Sequence, residues 1–269
     1  MIENFKFNKK FGQNFISDKN LLSAIVSDAE ISNQDEVLEI GAGAGTLTTA
    51  IAQKAKKVVS YEIDKNLTEH LLEIEKSSQN IKIYIEDALK KPIIEIEKDS
   101  EKEYHLVANL PYYITTPLVF KFLEASEKCK SLTIMVQKEV AERFCASTKD
   151  EGYGIPSVVL DFFCERKITR IVSRKMFFPS PNVDSAIVVL KKKNLNYSKG
   201  FCQKFKNLVS LAFSMRRKTL FNNLKPVLHS KEEFENIINQ IGLSINVRAE
   251  ELTTENFVLL TKLIYKIDK

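Results

Sequence analysis

No stretch of this 269-residue chain approaches the roughly twenty consecutive apolar residues that a membrane-spanning helix requires, so no membrane association is expected. The opening Met1-Ile2-Glu3-Asn4-Phe5-Lys6 has no apolar signal region, and a cytoplasmic location is the expectation. The four cysteines stand alone at positions 129, 145, 164 and 202. Without a C-x-x-C pair, neither a zinc site nor a redox couple is indicated, and buried thiols are expected. The three histidines are His70, His105 and His229, and none sits in a triad or metal-ligand spacing. His70 falls in a helical pattern and His105 just ahead of an apolar run, so surface or hydrogen-bonded positions are expected. Chemistry that needs an imidazole base or a metal-bound water therefore finds no support, and no metal is expected.

What the chain does have is a set of polar residues at the ends of apolar runs. Val37-Leu38-Glu39-Ile40 reads as a strand and runs directly into Gly41-Ala42-Gly43-Ala44-Gly45. A helical pattern opens at Thr46, with Leu47, Ala50, Ile51 and Ala55 on one face. Strand, glycine loop and helix is a layout in which a cofactor approaches bare backbone at the carboxyl edge of a parallel sheet. The spacing is G-x-G-x-G rather than the dinucleotide G-x-G-x-x-G, and no lysine-serine pair of an ATPase P-loop follows.

A second strand, Val58-Val59-Ser60-Tyr61, ends at Glu62, about twenty residues beyond the loop, where a carboxylate can take both hydroxyls of a ribose. A third, Ile81 to Ile85, ends at Glu86-Asp87. A fourth, Leu106-Val107-Ala108, ends at Asn109-Leu110-Pro111-Tyr112, where proline forces a turn. An amide, backbone carbonyls and an aromatic ring gathered at a sheet mouth suit the exocyclic amine of a flat base. Further strands are expected at Leu132–Val136, Ile168–Val172 and Val183–Leu190, with a proline-stiffened loop, Phe177-Phe178-Pro179-Ser180-Pro181, between the last two. The order βαβαβ…β predicts an α/β, doubly wound, Rossmann-like sheet.

Charge is unevenly spread. From Glu165 to Lys225 the chain carries 15 Lys and Arg against 2 Asp and Glu, whereas the whole chain is only +5. One basic stretch against an acidic remainder points to nucleic acid. After Asn194 only helical patterns remain, at Phe201–Phe213, Arg217–Leu224, Lys231–Ile241 and Glu255–Ile267. The expected division is residues 1–193 as a catalytic sheet domain and residues 194–269 as a small all-helical domain with a basic, nucleic-acid-binding face, with Asn194–Gly200 as linker.

Five motifs in order give the chain a resemblance to a known family. They are Lys9-Lys10-Phe11-Gly12-Gln13-Asn14-Phe15-Ile16, Glu39 to Gly45, Asn109 to Tyr112, Phe177 to Ser185, and Phe213 to Leu220. The chain resembles the ribosomal RNA adenine dimethyltransferases, in particular the bacterial small-subunit dimethyladenosine transferases, nearly end to end. That resemblance implies a class I methyltransferase sheet and S-adenosylmethionine as cofactor, contacted by Asn14, Ile16, Gly41, Gly43, Glu62, Asp87 and Asn109. It implies dimethylation of two adjacent adenosines of 16S rRNA in the small ribosomal subunit or its precursor. Asn109, Leu110, Pro111 and Tyr112 would form the catalytic motif, with Phe177 on the other face of the target base. Lys9, Lys10 and a basic helix bearing Arg216, Arg217 and Lys218 would contact RNA. Glu39 and Asp87 would add negative potential around the sulfonium.

Asn182 stands where the family usually has lysine and Ala249 where it usually has proline. A lost phosphate contact and a looser helix start are the expected effects. A monomer is expected, because no dimer stripe is visible. The alternatives are a large-subunit (23S) adenine methylase of the antibiotic-resistance type and an assembly factor acting mainly by binding. A DNA adenine or glutamine methylase matches less of the chain.

Overall fold

The computed structural model describes residues 15, 16 and 18–267. These gather into two compact units, one holding the chain up to Ala141 together with Arg166–Lys192, the other Glu142–Glu165 together with Lys193 onward. In chain order the first unit begins with β1 (Phe15–Ile16), α1 (Lys19–Asp28), β2 (Glu36–Ile40), α2 (Thr46–Ala52), β3 (Lys57–Glu62), α3 (Thr68–Lys76) and β4 (Ile81–Ile85). It continues through α4 (Ile93–Ile96), β5 (Tyr104–Asn109), α5 (Tyr112–Ala125) and β6 (Cys129–Gln137). The unit boundaries fall within α6 (Lys138–Cys145) and, after α7 (Ile155–Phe163), at the start of β7 (Cys164–Val172). β8 (Phe177–Phe178) and β9 (Ser185–Lys192) complete the first unit.

Seven strands form one sheet in the order β4-β3-β2-β5-β6-β9-β7. The pairs β2–β3, β2–β5, β3–β4 and β5–β6 are parallel, and β9 lies antiparallel to β6. All five residues of β2 are buried, Glu36 and Glu39 included, as a central parallel strand covered on both faces requires. From β2 the chain winds outward through β3 and β4, then returns to the far side of β2 with β5 and β6. The winding reverses between β2 and β5, and a crevice opens beyond their carboxyl ends. Register aligns what lies there: Ile40 pairs with Tyr61 on one side and Ala108 on the other. The next residues, Gly41, Glu62 and Asn109, therefore sit side by side at the edge.

Several elements differ from the sequence expectations. The Phe177-Phe178 segment, read as loop, pairs as β8 with β1, Ile16 opposite Phe177 and Phe15 opposite Phe178. Two-residue strands are too short to show a period. His105 lies inside β5 rather than before it; it is buried, and its Nδ1 lies 2.7 Å from the Ser131 hydroxyl. Cys129 and Cys164 are buried, while Cys145 and Cys202 are half-buried.

The second unit comprises α7, α8 (Lys199–Ala212), α9 (Leu220–Leu224), α10 (Lys231–Ile241) and α11 (Thr254–Tyr265). Its core is aromatic: Phe162 of α7 stacks on Phe205 of α8 at 4.1 Å between ring centres, and Phe201, Phe205, Phe234 and Phe257 are fully buried. Burial of such rings explains why 142–165, assigned above to the sheet domain, joins the helices: its apolar α7 face has its partners there. Tyr153 fixes the segment further by donating its hydroxyl to the Leu252 carbonyl at 2.7 Å.

Arg216-Arg217-Lys218 forms an exposed turn between α8 and α9, not a helix. The buried Asn223 amide donates to the carbonyls of Ala212 (2.5 Å) and Met215 (3.2 Å), satisfying carbonyls left over where α8 stops. Arg216 also donates to the Tyr153 carbonyl at 3.3 Å. Ala249 opens a short 3-10 turn, Ala249–Glu251, ahead of α11.

Candidate active site

A cavity of about 260 Å³ opens at the carboxyl edge of the sheet, near the lower end of small-molecule sites. Ile16, Gly41, Gly43, Glu62, Asp87, Asn109, Leu110, Pro111 and Tyr112 all line it. These are residues singled out from five separate stretches of sequence. Asn14, Lys9 and Lys10 lie outside the described residues. Phe177 is not brought to the cavity: its side chain is 5% exposed and packs in the core cluster with Ile16 and Met176. The neighbouring Phe178 is 61% exposed, and so is Tyr113 of the lining, at 68%.

The glycine loop is shaped for close approach. Gly41 has φ +85°, and a Cβ there would stand 3.0 Å from Leu110 Cδ2 and 3.5 Å from the Asn109 carbonyl oxygen. Only a residue without a side chain lets the loop after β2 lie against the turn after β5. Gly45, at φ +72°, is tighter still: its Cβ would meet Ile74 Cδ1 of α3 at 2.3 Å. α3 also supports the loop through His70, whose Nε2 lies 3.0 Å from the Ala44 carbonyl. Thr46 donates its hydroxyl to the Ile16 carbonyl at 3.0 Å, which ties β1 to the start of α2.

Glu62 is held by backbone. Its Oε2 accepts from the Gly43 amide at 2.8 Å, and its Oε1 from Ile63 (2.9 Å) and Asp64 (2.8 Å). Burial pushes this carboxyl above the usual range, and the three amides pull the other way. Asp87 accepts the Leu89 amide on Oδ1 at 3.0 Å, which folds the loop after β4 into a turn. Tyr112 opens α5, and its hydroxyl shares a 2.8 Å hydrogen bond with Ser185, a fully buried residue at the start of β9. That bond joins the Asn109–Tyr112 motif to the late Phe177–Ser185 motif. Ser185→Ala is expected to slow turnover at saturating substrates up to about tenfold, since one hydrogen bond contributes about 1 kcal/mol to ring placement. An unchanged turnover number would remove Ser185 from the site's support.

Glu39 does not line the cavity. It is fully buried and accepts hydroxyls from Ser60 of β3 and from Thr48 of α2, the latter at 2.5 Å. Burial drives its pKa up to about 7, against the two hydroxyls, and the Glu62 charge raises it further. Below neutrality it is a neutral strut between β2, β3 and α2 rather than a charge facing a cation. The folded state thus holds a proton that the unfolded chain releases near 4.5, and the stability so contributed is lost as pH climbs through about 7. Glu39→Gln cannot lose it. Between pH 5 and pH 8 the variant should gain about 3 kcal/mol relative to wild type, at ~1.4 kcal/mol per pKa unit. Urea melts at both pH values measure this, and a difference independent of pH contradicts it.

The donor set suits an adenosyl ligand. A carboxylate beside the glycine loop, a second carboxylate after the next strand and a glycine crevice answer a ribose, an adenine amine and a close-lying chain. Among the described residues there is no cluster of three or more His, Cys, Asp or Glu able to hold a metal, and no helix long and apolar enough to cross a membrane. Two residues that matter here were given no role of their own from sequence: Ser185, which only closes the late motif, and Lys121, whose ammonium donates to the carbonyls of the loop after β4. Lys121 did carry a signal, being a lone charge within the apolar run Leu118-Val119-Phe120-Lys121-Phe122-Leu123.

A parallel sheet closed by an antiparallel strand, with a glycine loop after its first central strand and an Asn-Leu-Pro-Tyr turn after its fourth, defines a class I methyltransferase. The chain belongs to the ribosomal RNA adenine dimethylase family, whose profile matches residues 4–266. It is 44% identical over 266 residues to the ribosomal RNA small subunit methyltransferase A of Clostridium botulinum strain Langeland, covering 98% of this chain and 96% of that protein. Among solved structures it is similar to the 23S rRNA methyltransferase ErmE, with TM-score 0.75 and 26% identity over 94% of this chain and all of the other. It is likewise similar to a dimethyladenosine transferase from Plasmodium falciparum, with TM-score 0.74 and 27% identity over 91% of this chain and 95% of that one.

Proposed function

We propose that this protein uses S-adenosylmethionine to dimethylate the exocyclic amines of two adjacent adenosines in a hairpin near the 3′ end of 16S rRNA. The observation that carries the reading is the alignment of Gly41, Glu62 and Asn109 at the switch point of the sheet, on one cavity with Asp87 and Tyr112. Near-full-length similarity to small subunit methyltransferases supports the small-subunit target over the large one. S-Adenosylmethionine supplies an electrophilic methyl group on a sulfonium. Glu62 binds the ribose hydroxyls and Asp87 the cofactor's adenine amine, each a charge-assisted bond of about 1.5–3 kcal/mol.

The chain's own task is to prepare a poor nucleophile. The amine lone pair of adenine is delocalised into its ring. Hydrogen bonds accepted from that amine by the Asn109 side-chain oxygen and the Leu110 carbonyl favour a more tetrahedral nitrogen whose lone pair points at the methyl group. Tyr112 stacks on the base, contributing roughly 1–3 kcal/mol, about what splaying a base from its stack costs. Fixed orientation supplies much of the rate. No strong base is required, because the product ammonium loses its proton to water. On the second transfer Asn109 still has one N–H to hold. With Phe177 in the core, the exposed rings nearest in sequence to the two motifs, Phe178 and Tyr113, are the candidates for the opposite face of the base.

Arg217 and Lys218 serve as phosphate contacts. Reversing both charges should weaken binding of small-subunit RNA and reduce the slope of log K against log salt by about 1.5, and an unchanged slope would take the turn out of the interface. The function itself is tested by primer extension on RNA from cells lacking the protein. Loss of a paired stop in 16S rRNA is expected, and loss of a stop in 23S rRNA instead would favour the large-subunit reading.

A further inference from the structure

The loop after β4 carries Glu86, Asp87, Ala88 and Leu89 of the cavity lining, yet no strand partner holds its carbonyls. The carbonyls of Ala88, Leu89 and Lys91 are held by a single side chain, while that of Asp87 accepts the Lys90 amide at 3.1 Å. Lys121, on α5, donates from Nζ to the carbonyls of Ala88 (2.9 Å), Leu89 (2.7 Å) and Lys91 (2.5 Å). An ammonium has three protons, so all of its donors are spent on one loop. Lys121 itself does not line the cavity.

We propose that Lys121 is a positioning residue for the adenine end of the cofactor site: it fixes the 88–91 backbone and so sets where Asp87 and the neighbouring amides meet the ligand. The inference rests on the reading that this cavity binds an adenosyl group. Burial lowers the Lys121 pKa and the Asp87 charge opposes that shift, which places the ammonium within electrostatic reach of the carboxylate it positions. The Asp87 Oδ1 bond to the Leu89 amide makes the coupling mechanical as well, since Lys121 holds the carbonyl of the same Leu89. Only a long unbranched cation at this point of α5 can reach three carbonyls 30 to 33 residues away in sequence.

The test compares wild type, Lys121→Met, Lys121→Arg, Asp87→Ala and the Asp87→Ala/Lys121→Met double variant. Titrations use S-adenosylhomocysteine and plain adenosine, alongside methyl-transfer kinetics. Lys121→Met should weaken both ligands by a similar factor of about tenfold, because the loss lies at the adenine half they share. KM for S-adenosylmethionine should rise by the same factor, while kcat at saturation stays within about threefold. Lys121→Arg should recover part of the affinity. In the Asp87→Ala background the Lys121→Met effect should shrink to about threefold or less, as expected of two residues acting on one contact. Unchanged KM and affinity, a fall in kcat alone, or full additivity with Asp87→Ala would each overturn the proposal. If Lys121→Met fails to fold, Lys121→Arg and Lys121→Gln carry the same comparison, and wild-type affinity in Lys121→Gln overturns it. Failure of wild type to bind either ligand would instead overturn the cofactor reading on which the inference stands.

Discussion

Asn109→Ala should lower methyl transfer at saturating cofactor and RNA by about 10²–10³-fold, the usual loss when one preorganised polar contact to the reacting group is removed. The reason lies in the position of the residue. Asn109 is the last residue of β5, paired with Met135 of β6, so its backbone is fixed on a central strand. It is followed by Leu110, which packs where a Cβ on Gly41 would stand. Alanine preserves the strand end and the turn, because Pro111 and the α5 start remain. It removes the oxygen proposed to accept from the amine. Cofactor affinity should change far less, as Glu62 and Asp87 stay in place. Transfer of labelled methyl groups near the wild-type rate would contradict this assignment, and so would loss of cofactor binding equal to the loss of rate.

Glu62→Ala should weaken binding of the cofactor and of S-adenosylhomocysteine by about 10²–10⁴-fold, from two charge-assisted bonds of about 1.5–3 kcal/mol each. A second effect adds to the first. Three backbone amides, those of Gly43, Ile63 and Asp64, lose their acceptor at a buried site. The Gly43 amide belongs to the glycine loop, so the loop loosens with the lost ribose contact. Glu62→Gln tells these apart: its remaining oxygen can accept part of the amide set, while its NH2 faces donors. An intermediate loss is expected for glutamine. Calorimetric titration with S-adenosylhomocysteine measures both, and affinity within a few-fold of wild type for alanine would remove Glu62 from the ligand site.

The central strands and the edge residues were legible in the sequence for one reason: β2, β3 and β5 are short buried runs and β4 an alternating one, all cut off by glycine, acid or Asn-Leu-Pro chemistry, and a parallel sheet puts all their carboxyl ends on one side. What escaped was decided by tertiary contact. Nothing local says that Lys121 reaches the loop after β4, beyond its being a charge in an apolar run. The fate of Phe177 and Phe178 turned on which of two adjacent rings faces the core once β8 pairs with β1, a one-residue choice that alternation reverses. The Arg216-Arg217-Lys218 segment has good helix formers, yet Asn223, several residues on, takes the last carbonyl of α8 and that of Met215 beyond it and leaves the triplet in a turn. Glu39 looked like a charge beside the cofactor loop, but on a strand with both faces covered it is buried and neutral below pH 7.

The most direct measurement is to incubate the purified protein with labelled S-adenosylmethionine and small ribosomal subunits that lack the modification, then cleave the RNA with a base-specific ribonuclease and sequence the labelled oligonucleotides by mass spectrometry. N6,N6-Dimethyladenosine at two adjacent positions near the 3′ end of 16S rRNA is the predicted result. Label confined to ribosomal protein, or no transfer from a sample shown to bind S-adenosylhomocysteine, would contradict it.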